Sequence, residues 1–266
     1  MKNTLTIKTL LVSSALLAGF WASEAQAGAK GSFEQTLSVD DAILLDVSTG
    51  SGSITVETGD AGTVMIVGHI KVGSAWTSRS GAEARDLVAK FEANPPVELE
   101  DGRLKVGHIK DRAYRKNVSV SYEIVVPANT EIISDTGSGS QKVSGIAAPV
   151  NADTGSGSIT LADIGGPVKA NTGSGRIKAE RVAGAFEAHT GSGSISMTQV
   201  APGDVEATTG SGSIDLQGVG GGLRAKTGSG RIVIQGSQAG DWKINTGSGS
   251  VKIDLPDDAA FRLDAE

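Results

Sequence analysis

The chain has 266 residues, a formal net charge of −6 and no cysteine, and aromatic residues make up only 4 % of it. The absence of cysteine excludes disulfides, thiol chemistry and a lipidated N-terminal cysteine. The acidic balance and the lack of a basic amphipathic helix exclude nucleic acid and a membrane surface as expected partners.

Lys2 and Lys8 precede an apolar run from Leu10 to Ala22, and Ala25-Gln26-Ala27 follows as a small-residue cleavage site. This pattern predicts a secretory signal peptide over 1–27, cleaved after Ala27, with the exported chain starting at Gly28. The run is too short to span a bilayer, so no stable membrane insertion is expected after cleavage. The chain is then periplasmic, or extracellular at the cell surface. Residues 28–266 read as one domain.

Thr-Gly-Ser-Gly occurs eight times, beginning at Thr49, Thr136, Thr154, Thr172, Thr190, Thr209, Thr227 and Thr246. From Thr136 the steps are 18, 18, 18, 19, 18 and 19 residues. A period this short suits one coil of a β-solenoid and no helical repeat. Phe33 to Val47 resembles a rung of its own, with Leu45 and Val47 in the columns that precede Thr49.

Over 59–130 the repeat is interrupted by a predicted α+β insertion. Thr63 to Val72 reads as a strand. Ser80 to Glu92 reads as a helix with Ala84, Leu87, Val88 and Phe91 on one face, Ser80 as its cap, and Asn94-Pro95-Pro96 as its stop. Val97–Leu99 and Leu104–Ile109 form a hairpin around Asp101-Gly102, and Val118 to Val126 is a strand stopped by Pro127. Such an insertion would cap the N-terminal end of a solenoid, whose open strand edges invite aggregation.

Over 131–266 each rung carries two short alternating strands and two bends. One apolar column is Ile159, Ile177, Ile195, Ile214, Ile232 and Val251. Another, at the middle bend, is Ile146, Ile164, Val182, Val200 and Val219. The second strand supplies Val150, Val168, Phe186, Val205, Leu223 and Trp242, then Ala152, Ala170, Ala188, Ala207, Ala225 and Ile244. The extra residue of the 19-residue rungs falls between the middle bend and the second strand. The corner glycines imply either φ > 0 or a close approach of neighbouring coils. After Trp242 and Ile244 the columns continue at Leu263 and Ala265, and a further Thr-Gly-Ser-Gly would come next. The chain stops there, as a terminal half-rung or as a piece of a longer protein. The fold class is all-β: a single-domain parallel β-solenoid of about 18 residues per coil, with crossovers right-handed as parallel connections usually are.

The Thr-Gly-Ser-Gly-Ser-Ile rungs, the predicted signal peptide, the insertion and Val125-Val126-Pro127 ahead of the main array together resemble the putative adhesin family. This is a domain-of-unknown-function family of exported or envelope-associated bacterial proteins. The resemblance implies a β-solenoid, and it brings no catalytic residues to transfer.

Candidate sites are few. Ser156, Ser174, Ser192 and Ser211 form a repeated polar ladder, and Arg176 and Arg231 replace the second serine of the repeat three coils apart, where they could hold an anionic glycan at two points. Gly68-His69-Ile70-Lys71 and Gly107-His108-Ile109-Lys110 would bring two histidines together only if their strands pair, and no third zinc ligand is at hand. His189 lies in a mixed column with Asp135, Asp153, Asn171, Thr208, Lys226 and Asn245, read as a solvated corner. The aspartates that bind calcium in nonapeptide β-rolls are missing. No G-x-S-x-G elbow is coupled to a histidine and an aspartate. The expectation is therefore a non-catalytic interaction module without metal or cofactor, engaging a cell-envelope glycan or protein. A structural component docking a protein through the insertion is the second reading, and a polysaccharide-acting enzyme on a β-helix the third.

Overall fold

The computed structural model describes residues 29–39, 42–73, 81–109, 117–259 and 262. The predicted signal peptide, the Ser80 cap and the column positions Leu263 and Ala265 lie outside the described residues. Strands β1 (Lys30–Ser38), β2 (Leu44–Thr49), β3 (Ile54–Thr58) and β4 (Thr63–Val72) come first. Helix α1 (Gly81–Ala93) follows, then β5 (Val97–Glu100), β6 (Arg103–Val106) and β7 (Val118–Val126). The regular coils are β8 (Glu131–Thr136) with β9 (Gln141–Ser144), β10 (Val150–Thr154) with β11 (Ile159–Ile164), β12 (Val168–Thr172) with β13 (Ile177–Val182), and β14 (Phe186–Thr190) with β15 (Ile195–Gln199). They continue with β16 (Val205–Ser211) and β17 (Ile214–Val219), β18 (Leu223–Ser229) and β19 (Ile232–Gly236), and β20 (Trp242–Ser248) and β21 (Val251–Asp254).

These strands form two sheets. One runs β1-β4-β7-β3-β9-β11-β13-β15-β17-β19-β21, the other β20-β18-β16-β14-β12-β10-β8-β2-β6-β5. From β8 onward every pairing is parallel, and in the 18-residue coils each residue meets its repeat equivalent: Val150 lies beside Val168, Ala152 beside Ala170 and Thr154 beside Thr172. The inward columns Ile159, Leu161, Ile177, Ile214, Leu216, Ile232 and Ile234 are sealed from solvent. Each such aliphatic side chain stabilises by roughly 1.5–3 kcal/mol relative to exposure. A polar pair, Ser134 and Gln141, lies within this core. Ser134 donates to Gln141 Oε1, and the Gln141 amide donates to the carbonyls of Asp153 and Ser134, so both buried side chains are satisfied.

The insertion does more than pack on an end. Its β6 pairs in parallel with β2, and its β7 in parallel with β3, so the two extend both sheets below the first Thr-Gly-Ser-Gly coil. Here chain order and spatial order part. β4 then pairs antiparallel with β7 and β1 antiparallel with β4, which turns the parallel stack into an antiparallel margin. The expected hairpin is present, with β5 antiparallel to β6 and Asp101 and Gly102 left-handed at φ 48 and 75. The strand of that hairpin ends at Val106, short of Ile109. Ala84, Leu87, Val88 and Phe91 are the buried face of α1, as the periodicity predicts. Leu45 and Val47 take their columns beside Ile132 and Ser134. The reading of Phe33–Val47 as a rung is corrected in its first half: β1 is the antiparallel edge of the larger sheet, because it covers β4 rather than stacking on a coil.

The middle bend also departs from the periodic reading. Val200 does not enter the core. It is 59 % exposed, and Gln199 is buried in its place. In the 18-residue coils the residue before the bend is a left-handed bulge, as at Gly145, Asp163 and Arg181. The 19-residue coils lack it, so Val182 pairs with Gln199 and Val219 with Gly236. Each of these coils loses one residue before the bend and gains two after it. Gln199 stays satisfied by donating to the carbonyls of Gly184 and Gly203. We expect Val200→Ser to change stability by less than about 0.5 kcal/mol and Val182→Ser to cost at least about 2 kcal/mol. Thermal melts of the two variants would check this, and equal losses would restore Val200 to the core.

At the junction of coil and cap, Tyr122 is buried and meets Phe33 edge-on, with ring centroids 6.4 Å apart. Its hydroxyl has no hydrogen-bond partner among the described residues, and burial raises its pKa above the ordinary tyrosine value. The folded state therefore favours the neutral phenol, while the unfolded chain ionises above about pH 10. Stability is intact below that pH and falls as pH rises above it. Tyr122→Phe should melt within a few degrees of wild type at pH 7 and resist alkali better than wild type near pH 11. Parallel alkaline losses in both proteins would refute the assignment.

Candidate functional site

The repeated corner sorts its residues into two classes. Its threonines face inward: Thr172 Oγ1 donates to the carbonyl of Gly157 in the coil below at 2.8 Å and accepts from Gly175 N–H in its own coil at 3.0 Å. Thr136, Thr154 and Thr190 do the same one coil apart. These hydroxyls are buried and committed, so the threonines leave any ligand-facing ridge. The glycines are explained by close approach. Gly155 and Gly157 are not left-handed. A Cβ on Gly157 would sit 1.8 Å from the carbonyl oxygen of Gly139, and one on Gly155 would sit 2.4 Å from that of Gly137.

The serines between the glycines face solvent. Ser156, Ser174, Ser192 and Ser211 are all exposed, one per coil. Arg176 and Arg231 are exposed in a neighbouring column, and neither makes an ion pair among the described residues. Among the described residues the corner is thus a ridge of hydroxyls and two guanidiniums without hydrogen-bond or ion-pair partners.

A second polar surface was not visible as a unit in the sequence. The outer face of the smaller sheet carries two outward columns, Asp46 to Lys243 and Ser48 to Asn245, in continuous parallel register. Shallow depressions of about 290 and 690 Å³ lie on it; the smaller is lined by Asp135, Asp153, Asn171, His189 and Thr208. The mixed column of His189 is therefore a concave surface, with Asn171 donating to Asp153 and His189 3.1 Å from Glu187. At the cap end Arg103 and His108 both hold Asp46, His108 at 2.9 Å. Burial pushes the Asp46 carboxyl up, but the Arg103 and His108 partners outweigh it and hold it below its ordinary value. Asp135 is raised, first by burial and then by the neighbouring Asp153 carboxylate. Arg103 and His108 lie 57 and 62 residues from Asp46 in sequence; the repeated Gly-His-Ile-Lys tetrapeptide pointed to His108 alone, and nothing pointed to Arg103 or Asp46.

The two tetrapeptide histidines do not meet. His69 is on β4 of the larger sheet, 3.4 Å from Glu123, while His108 follows β6 of the smaller one. No group of three metal-ligating side chains gathers among the described residues. The described contacts of His108 are the carboxylate and carbonyl of Asp46, and no serine hydroxyl joins them as a triad would require. No helix among the described residues is long and apolar enough to cross a membrane.

Register, buried columns and stacked corners define a parallel β-solenoid repeat protein, closed at one end by an antiparallel cap. The chain belongs to the Toastrack DUF4097 family, whose sequence model matches residues 42–266. No curated protein matches it in sequence. Among solved structures it is similar to a putative adhesin from Bacteroides fragilis, at 15 % identity and a TM-score of 0.43, over 86 % of this chain and 100 % of that one. It is also similar to a putative cell adhesion protein from Clostridium sporogenes, at 14 % identity and a TM-score of 0.40, over 85 % of this chain and 100 % of that one. A putative adhesin from Parabacteroides distasonis matches at 14 % identity and a TM-score of 0.38, over 84 % and 97 % of the two chains.

Proposed function

We propose that this protein is a non-catalytic, adhesin-like interaction module, exported through its N-terminal signal peptide to the periplasm or cell surface. Ser156, Ser174, Ser192 and Ser211, flanked by Arg176 and Arg231, engage a cell-envelope glycan or protein. One observation carries the reading: within a single repeated corner the threonine hydroxyls are buried and used, while the serine hydroxyls are free and recur once per coil. The corner geometry is already satisfied without the serines. Equivalent weak contacts at fixed spacing favour avidity over a deep pocket.

The test is retention of the chain from Gly28 onward on peptidoglycan, outer-membrane polysaccharide and intact cells, beside the variant with all four serines changed to alanine. The variant should keep the wild-type melting temperature. At about 1 kcal/mol per hydrogen bond, it should bind at least about 100-fold more weakly. Undiminished retention of the variant would refute the ridge. A single protein captured from an envelope extract, with no glycan retention, would favour the scaffold reading.

A further inference from the structure

The outer face of the smaller sheet has a charge pattern with a sense along the rod. Its cap end carries Asp135 and Asp153 beside Asp46, which is largely buried under Arg103 and His108 and has Lys105 next to it, and its far end carries Arg224, Lys226 and Lys243. Asp135 and the three far-end cations make no ion pair among the described residues. A uniform polyanion or polycation would meet repulsion along half of such a face. A partner with the same pattern, running the opposite way, would not.

We infer that two copies of this chain associate face to face through this sheet, about a two-fold axis parallel to the strands and midway between β12 and β14. The solenoid strands of the sheet run β2, β8, β10, β12, β14, β16, β18, β20, so this axis lies at the centre of the row. It sets β2 over β20, β8 over β18, β10 over β16 and β12 over β14 of the second copy. The strand registers then decide which side chains meet, because residues in one outward column stay at one height along the strands. Asp46 faces Lys243 of the second copy, Asp135 faces Lys226, and Lys169 faces Glu187. Each contact occurs twice by symmetry. No like charges oppose each other in either column.

The register is selective. An axis on β12 sets Lys169 against itself, and an axis on β14 sets Glu187 against itself. An axis between β14 and β16 sets Lys169 against Arg224. The match gives Asp135 a cationic partner, where burial and the Asp153 carboxylate disfavour its charge and His108 offsets them only in part. Asp46 and Lys169 keep their partners within the copy, Arg103 with His108 and Glu187, and share them across the interface. The seven intervals between the eight strands span about 34 Å at about 4.8 Å per strand, long enough for a contact of modest area. Such a polar contact is ionic in origin and sensitive to salt. The inference does not depend on the serine ridge, which lies on the corner and stays exposed in the pair.

The experiment is sedimentation equilibrium of the chain from Gly28 onward, with Asp135→Lys, Lys226→Asp and the double variant. Wild type should be a concentration-dependent dimer near 0.01 M salt, where the Debye length is about 30 Å, and a monomer near 1 M, where it is about 3 Å. Each single reversal sets like charges together and should weaken dimerisation at least about 10-fold, while the double variant should recover to within about 3-fold of wild type. Both positions are outward on the sheet, and unchanged circular dichroism would confirm that the variants fold. A monomeric wild type at low salt, single reversals without effect, or a double variant no better than the singles would each overturn the inference. So would a monomer that instead binds an anionic polymer through Lys226.

Discussion

Gly157→Ala is expected to destabilise this protein strongly, as are the equivalent changes at Gly139, Gly175 and Gly193, while Ser156→Ala beside it leaves the melt unchanged. The new Cβ would lie 1.8 Å from the carbonyl oxygen of Gly139, far inside contact distance. The neighbouring coils cannot part to admit it. Gly155 N–H bonds the Thr136 carbonyl at 3.1 Å, and Gln141 N–H bonds that of Ser158 at 2.9 Å, so ladders on both flanks set the spacing between these two coils. Opening the corner also stretches the bond from Thr154 Oγ1 to the Gly139 carbonyl. Overpacking of this kind costs about 3 kcal/mol or more, which for a chain of this size lowers the melting temperature by roughly 6–12 °C. Circular dichroism melts of the two variants would measure it. A Gly157→Ala protein melting within 2 °C of wild type would mean that close approach is not why glycine is needed.

The second large effect is expected at Thr172. Valine there keeps the shape and burial but removes the hydroxyl that joins two coils. The Gly175 N–H and the Gly157 carbonyl then lose this partner inside the corner. Each buried polar group left unsatisfied costs about 1–3 kcal/mol, so Thr172→Val, which orphans two, should cost about 2–6 kcal/mol. Thr172→Ser keeps the oxygen and should recover most of that. Denaturant titration of the pair separates hydrogen bonding from packing. Equal losses in both variants would mean that the methyl group, not the hydroxyl, holds the corner. The result also bears on function: if the threonines are structural, binding assays on threonine variants report folding, and only the serine series reports the ridge.

Much of this architecture was legible because its information is local and repeated. Ile159, Ile177 and Ile195 recur at one spacing, and a strand beside an identical strand has one register that buries every apolar side chain. Helix α1 was legible because Ala84, Leu87, Val88 and Phe91 mark a face with period 3.6. The same reasoning failed at Val200. A column extrapolated by identity cannot see a missing bulge, and the backbone placed Gln199 inward with its amide satisfied by Gly184 and Gly203. At Gly157 the sequence left two reasons open for one residue, and the proximity of the Gly139 carbonyl selects between them.

Local pattern was enough for the period, the two strands per coil, the inward columns, the capping helix and the polar character of the corner. These follow from alternation and spacing within a few residues, or from identity between neighbouring coils. The tertiary structure alone decided where the insertion goes, which hydroxyls of the corner remain free, and which charges share a face. β6 and β7 continue both sheets below β2 and β3 although they share no repeat with them, because an edge of unpaired backbone groups must be met by some strand. Asp46, Arg103 and His108 then meet across 57 and 62 residues of chain. Contacts of that range are set by which edges pair and which surfaces must be buried, and no local pattern encodes them.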